Sequence, residues 1–316
     1  NNKYKTNVDS DNYLLFPNIS GIKPIKTRLP KNIDLREVRI VPQGVGYNVE
    51  IIYDKDQEII YDKDQKIIYD KDQEIINLDK NRVVGIDYGL ENVVAMANNI
   101  DIEPIVIKGS ILKSVNQWYN KHRAELYSIY MRQPIGCRIS DHKLIYNMYG
   151  SKLQNMTIHR NRIIKDIMHK ISRYIVNYCK TNNVGTIVIG HNDLWKQKIN
   201  LGKRTNQNFV TIPYNLLTKM IQYKAEEIGI EVKLQEESYT SKCSFLDNEP
   251  ICHHEKYLGK RIQRGLFRSN LRKIINSDIQ AGMNIIKKAI PNAFGNVDEI
   301  AVHGLIPISL NISNLM

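Results

Sequence analysis

The sequence lacks any hydrophobic run that could cross a bilayer, and it is poor in cysteine. No segment approaches the roughly 18 apolar residues of a transmembrane helix, and no charged-then-apolar leader opens the chain. The four cysteines are spread over 316 residues and fit no disulfide framework, which is typical of a reducing compartment. We therefore expect a cytoplasmic protein without a membrane partner. A hydrophobic fraction of 42% and a charged fraction of 25% exclude collagen-like and wholly disordered chains.

Acidic residues are also fewer than basic residues in this sequence. Lysine and arginine number 45 against 33 aspartates and glutamates, so the formal net charge is +12. A basic surface attracts polyanions, chiefly nucleic acid or an anionic membrane. Charge alone is a weak indicator, but it favours a nucleic-acid partner.

Residues 1–80 are interpreted as a β-rich domain. Apolar and polar residues alternate over short stretches, as at Val38 and Ile40, which is typical of a small β-barrel or sandwich. Residues 51–76 repeat the sequence Ile-Ile-Tyr-Asp-Lys-Asp-Gln every eight residues. This period is too short for a solenoid, so we expect strand-and-turn units that lengthen a hairpin. The repeat lacks the glycine of an EF-hand loop, which argues against a Ca²⁺ site.

From Arg82 onward the pattern changes to longer apolar strands and amphipathic helices. The predicted strands cover 83–87, 92–97, 102–107, 186–190 and 230–236, and the predicted helices cover 111–130, 143–181, 213–228 and 278–290. This order predicts an α/β fold of the ribonuclease H type, a mixed sheet with flanking helices, over residues 81–295. Residues 296–316 are interpreted as a C-terminal tail.

Two aspartates stand where predicted elements end or begin. Asp87 follows the apolar strand 83–86 and precedes a Tyr-Gly turn, and burying a carboxylate there is costly unless it is paired or bound to a metal. Asp278 falls in the first turn of a helix that Asn276 or Ser277 would cap. Each aspartate could instead be structural, as a turn former at position 87 and as compensation of the helix dipole at position 278.

A third carboxylate is expected from the pair Glu236 and Glu237, at the end of the strand 230–236. Alternation along a strand points these two side chains to opposite faces of the sheet. The period alone does not say which of them faces the other carboxylates, and a solvated strand end is the alternative.

Three carboxylates gathered at one sheet edge would need cations. Mg²⁺ suits carboxylate and phosphate oxygens, and two such ions can activate a water and stabilise the leaving oxygen of a phosphodiester. The pattern therefore favours metal-dependent hydrolysis of a nucleic acid.

Two basic stretches are candidates for nucleic-acid contacts. The first carries no acidic residue from 256 to 273 and interleaves aromatic Tyr257 and Phe267 with seven basic residues, namely Lys256, Lys260, Arg261, Arg264, Arg268, Arg272 and Lys273. The second begins with Trp195 and Lys196. Basic residues neutralise phosphates and aromatic rings stack on unpaired bases. The alternatives are a solvated basic loop and, for Trp195, a place in the core.

Several motifs in order resemble the TnpB (OrfB-type) proteins of bacterial insertion sequences. VVGIDYGLENVVAMA resembles their first RuvC motif, TIVIGHNDLWKQ occupies the place of the second, and INSDIQAGMNIIKKAIPNAF resembles the last. The resemblance implies an RNA-guided DNA endonuclease with one RuvC-like site that uses Mg²⁺, a guide RNA from the transposon end and a DNA target. It also implies a wedge-like oligonucleotide-binding role for residues 1–80, a bacterial, nucleoid-associated location, and kinship with Fanzor proteins and type V CRISPR effectors.

The resemblance carries catalytic roles to Asp87 and Asp278, but Gly190 stands where the second motif usually has a glutamate. One branch of the family has that glutamate on the next strand, which implies Glu237 as the third metal ligand, with Glu236 as the fallback. Asp193 is a weaker substitute.

Residues 240–276 occupy the place of a zinc ribbon but keep only Cys243 and Cys252, so we expect no structural zinc there. Little of the family's N-terminal helical lobe is visible, which suggests a shortened copy. A nuclease-inactive, RNA-guided DNA-binding protein is therefore the alternative function, and the oligomeric state stays open.

Overall fold

The computed structural model describes residues 6–17, 20–29, 34–43, 46–54, 57–62, 65–70, 78–131, 150–191, 212–295 and 306–315. The chain divides into two compact units. The first contains residues 1–60, 69–74 and 123–159, and the second contains residues 61–68, 75–122 and 160–316. The large sheet and the predicted carboxylates belong to the second unit.

The N-terminal strands form small separate sheets. They are β1 (Asn7–Val8), β2 (Tyr13–Leu15), β3 (Ile25–Lys26), β4 (Asp34–Gln43), β5 (Gly46–Asp54), β6 (Gln57–Asp62) and β7 (Gln65–Asp70). Among the described residues they group as β1-β2-β3, β4-β5 and β6-β7. The first three strands are two or three residues long, and the β-barrel-like domain stays a prediction. The strand part of the repeat prediction is confirmed, since β6 and β7 each carry one copy.

A six-stranded mixed sheet forms the centre of the second unit, and five of its strands are those that the sequence predicts. Its strands are β8 (Asp79–Asp87), β9 (Asn92–Asn98), β10 (Ile105–Lys108), β11 (Val184–His191), β12 (Glu231–Glu236) and β16 (Ile308–Leu310), in the order β12-β11-β8-β9-β10-β16. The strand β9 runs antiparallel to both β8 and β10. The strand β11 runs parallel to both β8 and β12. The two strands predicted at 186–190 and 230–236 therefore lie side by side in parallel.

Four helices and a second sheet complete the described part of this chain. The helices are α1 (Ser110–Met131), α2 (Gly150–Thr181), α3 (Tyr214–Glu226) and α4 (Ser277–Ala289), and the second sheet contains β13 (Lys260–Gln263), β14 (Leu266–Arg268) and β15 (Ile274–Asn276). The predicted start of the second helix, at 143–149, lies outside the described residues. No helix among them is long and apolar enough to span a membrane.

Helices cover both faces of the large sheet, which explains its continuous apolar strands. One face packs against α2 and α3, and the other packs against α4. The helix α4 approaches β8 closely because two glycines meet: a Cβ on Gly85 would lie 2.5 Å from the Gly282 carbonyl oxygen, and a Cβ on Gly282 would lie 3.0 Å from Ala97 Cβ. A side chain at either glycine would therefore push α4 away from the sheet.

The C-terminal segment contributes a strand that the sequence reading treated as part of a tail. The strand β16 pairs in parallel with β10, and Ile312, in the 3₁₀ turn that follows, is buried in the core. The strand β16 has three residues, which are too few to show the period of a strand, so only its pairing with β10 identifies it.

A buried lysine lies between α2 and α3. Lys224 is 3% exposed, and its Nζ donates hydrogen bonds to Ser172 Oγ (2.6 Å) and to the His169 carbonyl (3.0 Å). Burial, helped by the charge of Arg173, lowers the pKa of Lys224 to about 8. The unfolded chain therefore holds this proton over a pH range in which the folded chain has lost it.

We expect Lys224→Met to stabilise the protein at pH 7, because it removes a charge that folding buries without a carboxylate partner. The gain should raise the melting temperature by about 2 °C or more. Ser172 Oγ still donates to the His169 carbonyl at 3.1 Å, so no buried donor is orphaned. In the wild type, stability from this group should rise between pH 8 and the unfolded pKa near 10.5, and the variant should lack that rise. Melting curves at pH 7 and 10, with exposed Lys165→Met as the control, test this.

Candidate active site

Asp87 ends β8 on the face of the sheet that α4 covers. Val83 packs in the cluster with α4, and alternation places Gly85 and Asp87 on the same face. Burial, followed by the charges of Glu237 and Asp278, raises the pKa of Asp87 well above its usual value. The protein therefore gathers negative charge around a carboxyl group that is itself only partly exposed.

Asp278 is held in the first turn of α4, where the sequence places it. Asn276 caps the helix, and its Oδ1 accepts hydrogen bonds from the backbone N–H groups of Asp278 (3.0 Å) and Ile279 (3.2 Å). Asn92, the first residue of β9, donates from Nδ2 to Asp278 Oδ2 at 2.7 Å. The cap and this amide orient the carboxylate toward the end of β8.

Glu237 fills the space that the missing second-motif side chain would take. A Cβ on Gly190 would lie 2.8 Å from Glu237 Oε2 and 2.7 Å from Ile285 Cδ1. The strand pairing explains this position, since Gly190 lies opposite Gln235 in the parallel pair and Glu237 follows two residues later. Glu237 Oε2 is buried and finds no hydrogen-bond partner among the described residues. Burial, together with the charge of Glu236, raises the pKa of Glu237 to about 7.

Glu236, the fallback, is engaged elsewhere. Its carboxylate accepts a hydrogen bond from Lys288 Nζ at 2.6 Å and bonds to the backbone N–H of Ser238 at 2.8 Å. Although burial alone would raise it, the pKa of Glu236 is lowered by these hydrogen bonds. Lys288 on α4 therefore draws Glu236 to the exposed side, and Glu237 is the glutamate that faces Asp87.

The same helix that carries Asp278 also holds the turn after Glu237. Asn284 on α4 donates from Nδ2 to the carbonyl oxygens of Thr240 and Cys243, both at 2.8 Å. Thr240 in turn donates from Oγ1 to the Glu237 carbonyl at 2.8 Å. One rigid element thus positions two of the three carboxylates.

Arg261 supplies positive charge at this site. Its Nη2 donates to Ser277 Oγ at 2.7 Å and lies 3.4 Å from Asp278 Oδ1. Its charge also lowers the pKa of Asp87, although burial and the two other carboxylates have the larger, opposite effect. Arg261 comes from β13, so the basic insertion reaches the carboxylates directly.

These carboxylates fit a divalent cation in chemistry. Mg²⁺ takes oxygen ligands, mostly from carboxylates and phosphates, and a buried carboxylate oxygen without a partner, as in Glu237, is otherwise costly. Within the described ranges no three His, Cys, Asp or Glu side chains yet form a group that could hold a metal ion. Asp278 is engaged by Asn92 and Arg261 instead.

Comparison with known proteins gives two family matches, which together cover the strands β8 to β12 and the three carboxylates. Residues 66–196 match the OrfB_IS605 family, described as "Probable transposase". Residues 214–285 match the family described as "Cas12f1-like, TNB domain". This chain is similar in sequence to TnpB-like proteins and to Cas12f1.

Individual relatives agree with the family matches. TnpB-like protein ORF457 of Acidianus two-tailed virus is 24% identical over 212 residues, which is 66% of this chain and 42% of that protein. The CRISPR-associated endodeoxyribonuclease Cas12f1 of Sulfoacidibacillus thermotolerans is 29% identical over 233 residues, 72% of this chain and 49% of that protein. This chain therefore spans less than half the length of these two relatives.

A solved structure shows the same fold. The cryo-EM structure of a Cas12f1–sgRNA–target DNA complex superposes with a TM-score of 0.50 and 19% identity, over 66% of this chain and 39% of that one. At this identity the similarity shows the fold alone. The mixed sheet thus has the fold seen in that Cas12f1 structure.

The basic stretch 256–273 falls within the part that matches the TNB domain, and its charged side chains are exposed. Two of them have carboxylate partners: Arg261 contacts Asp278, and Arg264 forms an ion pair with Glu91. Phe267 is 2% exposed and packs in the core, so it offers no stacking surface. Trp195 and Lys196, like the weaker metal candidate Asp193, lie outside the described residues.

The loop that replaces the zinc ribbon is held by a buried carboxylate. Glu249 accepts from the backbone N–H of Ser244 (2.6 Å) and of Leu258 (2.9 Å), so it joins the two ends of the loop. Cys243 Sγ donates to the Cys252 carbonyl at 3.4 Å. The absence of structural zinc stays a prediction.

The sequence reading missed Asn92, Glu91 and Lys288. A signal existed for Asn92, which is the polar residue that opens an otherwise apolar strand five residues after Asp87. Lys288 gave no local signal, because its partner Glu236 is far away in the chain.

Proposed function

We propose that this chain acts as an RNA-guided DNA endonuclease with a single RuvC-like site. The observation that carries the proposal is the position of Glu237 Oε2 over Gly190, where the second motif usually has a glutamate. This oxygen is buried, and no residue in the described ranges forms a hydrogen bond with it. Burying a carboxylate oxygen in this way lowers the stability of the protein. A cation bound to Glu237 would offset this cost.

Asp87, Glu237 and Asp278 would hold Mg²⁺. Divalent ions bound by such carboxylates supply Lewis acidity for phosphodiester hydrolysis. The chain's own residues prepare the site: Asn92 fixes the orientation of Asp278, and Gly190 leaves room for Glu237. Arg261 balances part of the negative charge, and it would release Asp278 when a cation arrives.

Guide RNA and target DNA are the proposed partners. Lys260 and Arg268 lie directly opposite each other on β13 and β14, and like charges in such a pair destabilise a sheet. The phosphates of a polyanion bound along this face would attract both side chains and offset the repulsion between them. The net charge of +12 supports the same partner class.

The double substitution Lys260→Ala, Arg268→Ala should flatten the salt dependence of nucleic-acid binding. Each lost phosphate contact changes the slope of log K against log salt by about 0.7 on a single strand and about 0.9 on B-DNA, so we expect a change of roughly 1.4–1.8. Removing the repulsive pair should also leave the melting temperature unchanged or higher. Titration from low to high salt measures the slope, with exposed Lys219→Ala on α3 as the control. A slope equal to the control's would mean that this face is only solvated.

A nuclease-inactive, RNA-guided DNA-binding protein is the second candidate. It is favoured by Arg261, which already neutralises Asp278 without any metal. The two candidates differ only in cleavage, so one experiment separates them.

The test is purification of the chain with its co-bound RNA, sequencing of that RNA, and incubation of the complex with matching DNA. We expect one RNA species from the flanking element and cleavage that Mg²⁺ permits and EDTA abolishes. Sequence-specific binding without cleavage would select the inactive alternative. Absence of a specific RNA would contradict both.

A further inference from the structure

A cleft lies beside the carboxylates, at the start of α1. It has a volume of about 410 Å³ and is lined by Lys108, Ser110, Lys113, Ser114, Gln117 and the two residues Glu91 and Asn92. Asn92 belongs to both places, because its Nδ2 donates to Asp278 Oδ2 at 2.7 Å. Whatever occupies this cleft therefore lies next to the proposed catalytic centre.

The cleft carries more cations than its own acid can neutralise. Glu91 forms ion pairs with both Lys113 and Arg264, and hydrogen bonding from Lys113 is the first cause that lowers the pKa of Glu91. Lys108 is exposed at the end of β10 and lines the same space. Two lysines and an arginine around one carboxylate make an anion-binding surface whose internal counter-ion is Glu91.

The backbone around this surface is rigid. Gly109 donates from its N–H to the Glu91 carbonyl at 2.8 Å. A Cβ on Gly109 would lie 2.9 Å from the Leu90 carbonyl, so the start of α1 packs tightly against the start of β9. The cations are thus carried on regular elements at a fixed place beside Asp278.

An exposed tryptophan stands next to the cleft. Trp118 follows Gln117 and lies one helical turn after Ser114, and it is 45% exposed. Its ring lies 4.6 Å from the ring of His122, which in turn bonds to the Trp118 carbonyl at 2.9 Å. A large aromatic ring beside a cationic cleft is the combination that binds single strands, by stacking on bases and neutralising phosphates.

We propose that this cleft is a binding subsite for the single DNA strand that enters the cleavage site. A backbone phosphate lies between Lys108 and Lys113, and a base of a neighbouring nucleotide stacks on Trp118. The phosphate replaces Glu91 as the partner of Lys113. The subsite thereby sets which phosphodiester of the strand reaches Asp87 and Asp278. This inference rests on the proposed function for the identity of the strand.

The test measures binding separately from cleavage. The guide-loaded chain in an Asp87→Asn background, without Mg²⁺, is titrated with a fluorescein-labelled single DNA strand and with the same strand carrying 2-aminopurine. Trp118→Ala should weaken binding by about 5- to 100-fold, the range for loss of one stacked base, and should restore 2-aminopurine fluorescence. Trp118→Phe should recover most of the affinity.

Charge changes give the second arm. Lys113→Met should weaken binding and reduce the salt slope by about 0.7, whereas Glu91→Gln should strengthen binding at low salt. The matched controls are Lys180→Met, at the end of α2, and Tyr223→Ala, an exposed aromatic on α3. These two residues lie near the starts of β11 and β12, at the sheet end remote from Asp87.

The outcomes are distinct. If Trp118→Ala and Lys113→Met bind the strand as tightly as the controls, the subsite is wrong, whether or not the wild type cuts DNA. If they lose affinity for guide RNA and keep it for the DNA strand, the cleft holds RNA and the proposal is overturned. If they lose DNA affinity while the wild type fails to cut, the subsite stands and the nuclease function fails.

Discussion

Glu237→Gln should abolish Mg²⁺-dependent DNA cleavage, while Glu236→Gln should leave it within a few fold of wild type. The neighbouring glutamates form a matched pair, since only Glu237 places a buried oxygen over Gly190 and Glu236 is held by Lys288. Groups that merely support metal ligands already cost about 10–100-fold when removed, so a direct ligand should cost at least about 100-fold. Cleavage rates of the guide-loaded variants, at equal DNA occupancy, measure the difference.

Gly190 provides an independent check on the same space. Gly190→Ala puts a methyl group 2.8 Å from Glu237 Oε2 and 2.7 Å from Ile285 Cδ1, so it should displace the carboxylate and reduce cleavage. A glutamate at 190 can act only after that space is emptied, so rescue by Gly190→Glu is expected with Glu237→Ala and not with Glu237→Gln. Equal cleavage by Glu237→Gln and wild type would exclude Glu237 as a ligand.

Asp87→Asn and Asp278→Asn are each expected to eliminate cleavage and to preserve RNA binding. Removing the charge of Asp87 should also stabilise the metal-free protein, since burial and the charges of Glu237 and Asp278 disfavour the ionised form of Asp87. Mg²⁺ should raise the melting temperature of the wild type by mass action, and this increase should disappear in both variants. The combination of a higher metal-free melting temperature and a lost Mg²⁺ response is the signature of a ligand.

Exposed Asp101→Asn is the control for this pair, because it removes a carboxylate from the loop after β9. It should change neither the Mg²⁺ response nor the rate. An Asp87 or Asp278 variant that cuts DNA at the wild-type rate would remove the metal-site assignment.

Local sequence patterns were sufficient to predict most of the large sheet and the places of Asp87 and Asp278 at the ends of its elements. Asp87 ends an apolar strand and Asp278 follows an N-cap, so each carries its own signal within a few residues. Alternation also places Val83, Gly85 and Asp87 on one face. These features depend on the periods of a strand and a helix, which the sequence displays directly.

The choice between Glu236 and Glu237 needed the fold. A period of two sends them to opposite faces, but the face that meets Asp87 depends on the register of β12 with β11 and on Lys288, 52 residues away. The strand β16 is a similar case, since three residues become a strand only by pairing with β10.

Charge patterning had the same limit in the basic insertion. Reading along the chain is enough to see that 256–273 is cationic, that two aspartates stand at element ends, and that the elements follow the order of a ribonuclease H type sheet. Packing between distant elements was needed to bring Arg261 to Asp278, to join Arg264 and Lys113 to the same Glu91, and to bury Phe267. A strand or helix period is carried by neighbouring residues, whereas an ion pair or a buried ring depends on partners that lie far away in the chain.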